Sequence, residues 1–148
     1  MIRLRHLSVV CLLALGAVLR AEVPVYADGR ALLPVYVAAD AAPDERLAAE
    51  ELARVRGVMS GLDWPVRVEP VGQGAGFFVG RTRAAARALP ALNPAKDLLA
   101  PAAGEIGPDG FRLRTRGGRV YIEAATPEAT PFAVSWLLQR YGGARWYA

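Results

Sequence analysis

Apolar and polar positions repeat most clearly over 44–62. There Ala48, Leu52, Val55, Met59 and Leu62 follow 4-3-4-3 spacing, which makes one stripe on an α-helix. Pro43 suits its first turn, and Asp44 and Glu45 sit where the helix dipole favours acids. Gly61 is a natural stop, and Gly57 marks a place of close approach to a sheet. Before this helix, Val23–Tyr26 and Leu33–Val37 read as short strands around a turn at Asp28-Gly29. Pro24 and Pro34 each remove a ladder donor, so edge positions are expected for both. After it, 66–71 and 77–81 read as two strands joined by the glycine-rich stretch 72–76. Those glycines lead into Phe77-Phe78-Val79 and not into a helix start, which favours a hairpin or turn over a phosphate cradle.

Residues 82–108 are interrupted by Pro90, Pro94, Pro101 and Pro108. A short helix over 83–89 and a long irregular excursion are expected there. The next segment can be placed in register. Gly117-Gly118 forms a two-residue loop, so Phe111 faces Ala124, Arg112 faces Glu123, Leu113 faces Ile122, Arg114 faces Tyr121 and Thr115 faces Val120. Phe111, Leu113, Thr115, Val120, Ile122 and Ala124 then share an apolar face. The row Arg112, Arg114 and Arg116 lies on a solvated one. Thr130 is read as the cap of a second helix with Pro131 in its first turn. Its buried side is assigned to Phe132, Ala133, Trp136, Leu137 and Tyr141, and Gly142-Gly143 ends it. The whole reads as one α+β domain, a small mostly antiparallel or mixed open sheet with helices packed on one face.

The first 21 residues read differently. Arg3 and Arg5 precede a 13-residue apolar run, Leu7 to Leu19, followed by Arg20-Ala21. That is the order of a secretory signal, and the run is short of the ~20 residues of a membrane span. Cleavage after Ala21 or Ala17 is expected, and Val10 before Cys11 argues against lipid attachment. In a bacterium the destination is the periplasm or the medium, with no membrane association after cleavage. Residues 22–148 then form one 127-residue domain with 15 basic and 14 acidic residues, net +1. The apparent basicity of the whole chain largely disappears, and with it the case for a nucleic-acid partner.

His6 and Cys11 are the only histidine and cysteine, and both lie in the leader. The remaining chain has no Ser-His or Cys-His nucleophile pair, no thiolate or imidazole metal site and no disulfide. No catalytic residue, metal ligand or cofactor is assigned. Asp109 with Glu123, and Asp63 with Glu69, are the acid pairs that a glycosidase mechanism would use, but an open sheet of this size offers little cleft. Arg81, Arg83 and Arg87 read first as a solvated helix face and second as an anion site. Trp64, Trp136 and Trp146 are the residues that could stack on sugars. Trp136 lies on the helix stripe, and Trp64 follows a helix stop where packing over the helix end is expected.

Asp109-Gly110-Phe111-Arg112-Leu113, the Gly117-Gly118 hairpin and the closing run from Gln139 through Trp146-Tyr147 resemble one known module. It is the non-catalytic amino-terminal domain of α-glucuronidases and related secreted bacterial proteins. A similar domain precedes the barrel of family 20 β-hexosaminidases. Ala48–Leu52 and Phe78–Thr82 fit the same template. The chain departs from it at Ala124-Ala125, where glycines are usual, and at Glu128-Ala129, where Arg-Gly is usual. The resemblance implies an open sheet packed beside a (β/α)₈ barrel that carries the catalytic carboxylates. That barrel lies in cis beyond the aromatic end or in a partner chain, polysaccharide is its substrate class, and Arg145, Trp146 and Tyr147 sit at the domain interface. A free-standing carbohydrate-binding module is the alternative.

Overall fold

The computed structural model describes residues 33–69, 74–91 and 109–145, together with the backbone of 26–27 and 30–31. Tyr26–Ala27 (β1) and Arg30–Ala31 (β2) pair antiparallel as a separate ribbon. The main sheet is built from Val35–Val37 (β3), Val66–Val68 (β4), Gly76–Val79 (β5), Phe111–Arg116 (β6) and Arg119–Ala124 (β7), in the order β4-β3-β5-β7-β6. The first four of these run parallel, and β6 alone is antiparallel. Of the two expected sheet types, the mixed one is present.

The β6–β7 hairpin has the register read from Gly117-Gly118, pair by pair from Phe111–Ala124 to Arg116–Arg119. The other strands correct the sequence reading. β4 and β5 do not form a hairpin: each lies parallel on one side of β3. β3 is therefore an inner strand, not an edge. Pro34 is tolerated because it stands just before the first ladder residue, where only its carbonyl is used, accepting from the Phe77 amide at 2.9 Å.

Helix α1 (Pro43–Ser60) ends at Gly61, whose amide still donates to the Gly57 carbonyl at 2.8 Å while its φ of 68° turns the chain out of the helix. Gly57 faces the Leu62 carbonyl rather than the sheet. A short helix α2 spans Arg83–Ala88. A 3₁₀ turn, Pro127–Ala129, runs directly into helix α3 (Thr130–Gly142). This overturns the expected cap. Thr130 already has helical backbone angles, φ −62° and ψ −39°, because the turn before it starts the coil early.

α1 and α3 lie side by side and parallel. Pro131 is beside Leu47 and Ala48 at one end, and Gly142 is beside Met59 at the other. Together they cover one sheet face. Ala48, Ala49, Leu52 and Val55 of α1 meet Ala133, Val134 and Leu138 of α3 over Val35, Val37, Phe77, Val79 and Ile122. Each large aliphatic side chain buried this way contributes about 1.5–3 kcal/mol. The buried side of α3 is thus Ala133, Val134 and Leu138, not the aromatic positions. A helix wedged between a sheet and a second helix admits small and aliphatic residues at its centre. Its aromatics move to the rim: Trp136 packs on Phe111 and Tyr141 on Trp136, with ring centroids 5.9 and 5.8 Å apart.

The opposite face is not left to solvent. Tyr36, Phe78 and Tyr121 form a row across three strands, with centroids 5.1 and 5.5 Å apart, and α2 lies over it through Ala84, Ala85 and Ala88. Arg119 places its guanidinium 5.4 Å above Phe78. Arg112, expected on a solvated face, is 2 % exposed. The chain just after α2 reaches that arginine, the Pro90 carbonyl accepting from its Nη2.

Candidate functional site

In open sheets with parallel strands, ligands bind beyond the carboxyl ends of the strands, where neighbouring connections leave in opposite directions. Here that point lies between β3 and β5. The chain leaves β3 through α1 on one face and leaves β5 through α2 on the other. The crevice is taken by a side chain of the protein itself. Glu45, in the first turn of α1, is 4 % exposed. Its Oε2 accepts the Ala42 amide at 3.0 Å and its Oε1 accepts the Arg81 amide at 2.9 Å. The carboxylate therefore sits at a helix N-terminus, where a bound anion would otherwise be favoured. Ala42 has no side-chain acceptor, so only half of a capping box is present.

A second carboxylate does similar work next door. Glu69, just past β4, accepts the Arg83 amide at 2.8 Å and the Ala84 amide at 3.0 Å. Thr82 Oγ1 accepts the Ala85 amide at 3.2 Å. Three amides at the start of α2 are thereby satisfied, which explains why a helix of only six residues forms.

The third carboxylate is Glu123 near the end of β7. Arg112 on β6 donates to its Oε2 from Nε at 2.9 Å and from Nη2 at 2.5 Å. Nη2 also donates to the Pro90 carbonyl at 3.2 Å. This ties the chain after α2 to the sheet. Arg81 Nη2 donates to the Ala125 carbonyl at 3.0 Å. Between these groups lies a cleft of about 320 Å³ lined by Arg81, Thr82, Ala86, Leu89, Pro90, Ala91 and Glu123.

The sequence-derived candidates fall as follows. Glu123 is bound to Arg112 and Glu69 caps α2, while Asp63 and Asp109 are exposed. Arg83 and Arg87 lie exposed on α2, and Arg81 leans back on the sheet end. Trp64 is 4 % exposed; its Nε1 donates to Ser60 Oγ at 2.9 Å, and Arg56 lies over its ring at 5.4 Å. It packs over the end of α1, as its position after Gly61 implies. Arg145 is exposed just past α3; Trp146 and Tyr147 lie outside the described residues, as does the glycine stretch at 72–73. Among the described residues no group of three His, Cys, Asp or Glu side chains is placed to hold a metal ion, and no helix is long and apolar enough to cross a membrane. Glu45 is the site residue that sequence reasoning missed. Its signal is a glutamate three places after the helix boundary, a position where an acid also favours the helix dipole.

No protein-family model matches the chain, and no curated protein sequence matches it.

Proposed function

We propose that residues 22–148 are the non-catalytic amino-terminal accessory domain of a secreted or periplasmic glycoside-hydrolase-type protein. The domain supports a (β/α)₈ barrel that acts on polysaccharide. The reading rests on the resemblance in sequence of the hairpin and the closing helix to the domain that precedes such barrels.

One structural observation supports it: the way the chain leaves α3. Gly143 turns left-handed at φ 73°, the Ala144 amide donates to the Leu138 carbonyl at 3.1 Å, and Ala144 packs on the core. The exit is thus held in a fixed direction. Around it the last turns of α1 and α3 leave Val58, Met59 and Tyr141 exposed, Tyr141 by 72 %. A rigid exit beside apolar surface suits a chain that packs against a second body. Two well-placed carboxylates at the carboxyl ends of the strands, Glu45 and Glu69, serve internal bonds, which fits a supporting role. Trp64 and Trp136 are packed among protein groups, so they lend nothing to the alternative of a free-standing carbohydrate-binding module.

The reading frame beyond codon 148, together with the activity of the encoded protein, provides the test. Repeated βα units there, and aryl-glycoside hydrolysis abolished by substituting a barrel carboxylate but kept in Glu123→Gln, are the expected results. Turnover by the 148-residue chain alone, or saturable oligosaccharide binding that quenches Trp64, would overturn the proposal.

A further inference from the structure

A cleft lies between α2 and the carboxyl ends of β5 and β7. We propose that it binds a small neutral polyhydroxylated molecule, of the size of one sugar ring. The inference is independent of the accessory-domain reading.

The chemistry of the lining selects the ligand class. On one side stands Glu123. Arg112 donates to its Oε2 from both Nε and Nη2. A carboxylate held this way is a fixed acceptor for hydroxyl protons. On the other side stand Arg81, whose guanidinium spends one nitrogen on the Ala125 carbonyl, and Thr82, whose Oγ1 already accepts from the Ala85 amide. Arg81 has donors left over, and the Thr82 hydroxyl keeps its proton to donate. Ala86, Leu89 and Pro90 supply an apolar wall.

A free anion would meet the Glu123 carboxylate. A free cation would meet Arg81 and Arg112. A ring with hydroxyls that both donate and accept, and with an apolar C–H face, satisfies all three walls at once. The volume of about 320 Å³ stands at the small end of ligand pockets, which is room for one ring. The walls are also firm. Thr82 is buried and caps α2, and Pro90 is tied to the sheet by Arg112.

The test is a titration of the chain, expressed with its own leader, followed by ¹H–¹⁵N chemical shifts. The probes are D-xylose, D-glucuronate and methylammonium. Saturable shifts of the Thr82, Leu89 and Glu123 amides with xylose are expected, with a dissociation constant on the order of 10 mM as befits so few atoms. Glu123→Gln is expected to weaken xylose about tenfold. Because that variant strands Arg112, Ala86→Phe is the second arm. It fills the cleft from an exposed helix position and is expected to abolish the shifts while leaving the rest of the spectrum in place. Absence of saturable shifts up to about 100 mM xylose overturns the proposal. So does tighter binding of glucuronate or methylammonium than of xylose, or xylose binding that survives Ala86→Phe.

Discussion

The Glu45 carboxyl group lies where a side chain on residue 80 would begin. A Cβ built on Gly80 falls 2.5 Å from Glu45 Cδ, and Gly80 itself holds φ at 78°. The two residues are therefore one device. The glycine makes both the left-handed turn after β5 and the room for the carboxylate that joins that turn to α1.

Gly80→Ala is accordingly expected to cost about 2–4 kcal/mol, combining backbone strain with overpacking. Gly117→Ala is the control. It has φ 57° but nothing within 4 Å of the new methyl, so about 1 kcal/mol is expected. Urea unfolding of the two variants at neutral pH measures the difference.

Glu45→Ala leaves the Ala42 and Arg81 amides without their acceptor in a part-buried place. A loss of about 2–4 kcal/mol is expected. Amide exchange at Ala42 and Arg81 should accelerate well beyond that at the β6–β7 hairpin, since the crevice between α1 and β5 opens first. Uniform acceleration across the domain would contradict a local role.

Arg112 and Glu123 form a pair with side-chain exposures of 2 % and 13 %. Removing either partner alone strands a charge, so Arg112→Met and Glu123→Leu are each expected to cost about 3–5 kcal/mol. The double variant is expected to recover most of that loss, because no charge is left stranded, but not all of it, because the Pro90 carbonyl loses its Arg112 donor. A thermodynamic cycle over the four proteins gives the coupling directly.

Acid sensitivity has two identifiable sources. The Glu51 carboxyl is held below its usual value chiefly by hydrogen bonds from Arg54, with burial opposing and the arginine charge helping. Glu128 is lowered chiefly by its own backbone amide, then by the Thr126 hydroxyl, with burial opposing and the Arg81 charge adding a little. Depressed carboxylates stabilise the fold in full above their unfolded values and lose that contribution as pH falls through the folded ones. The thermal midpoint should therefore be flat near neutrality and decline below about pH 4.5. Glu128 is exposed and Glu51 partly so, which leaves both open to solvent screening, so the decline should be slight; Glu51→Gln combined with Glu128→Gln should flatten it further.

The local parts of this fold were readable because local rules govern them. The β6–β7 register follows from a two-glycine turn and an alternating pattern, and α1 follows from a 4-3 stripe with a glycine stop. The order of the parallel strands was not readable. β3 touches β4 and β5 through partners that no short-range pattern encodes, and a proline beside β3 argued for an edge. Arg112 was misplaced for a related reason. Alternation shows which residues share a face, but not that a short alanine-rich helix returns to cover the polar one. Glu45 was invisible as a ligand of Arg81 because the contact spans 36 positions.

Strand β7 joins two very different separations along the chain. On its β6 side, Arg112 reaches Glu123 across 11 positions, and such a hairpin closes in about 1–10 μs. On its β5 side, Arg81 reaches Ala125 across 44 positions, and nothing local draws those ends together. Refolding should therefore be paced by the meeting of β5 with a preassembled β6–β7 arm. The length of chain between α2 and β6 then sets how fast the domain assembles, with much less influence on how stable it is once assembled.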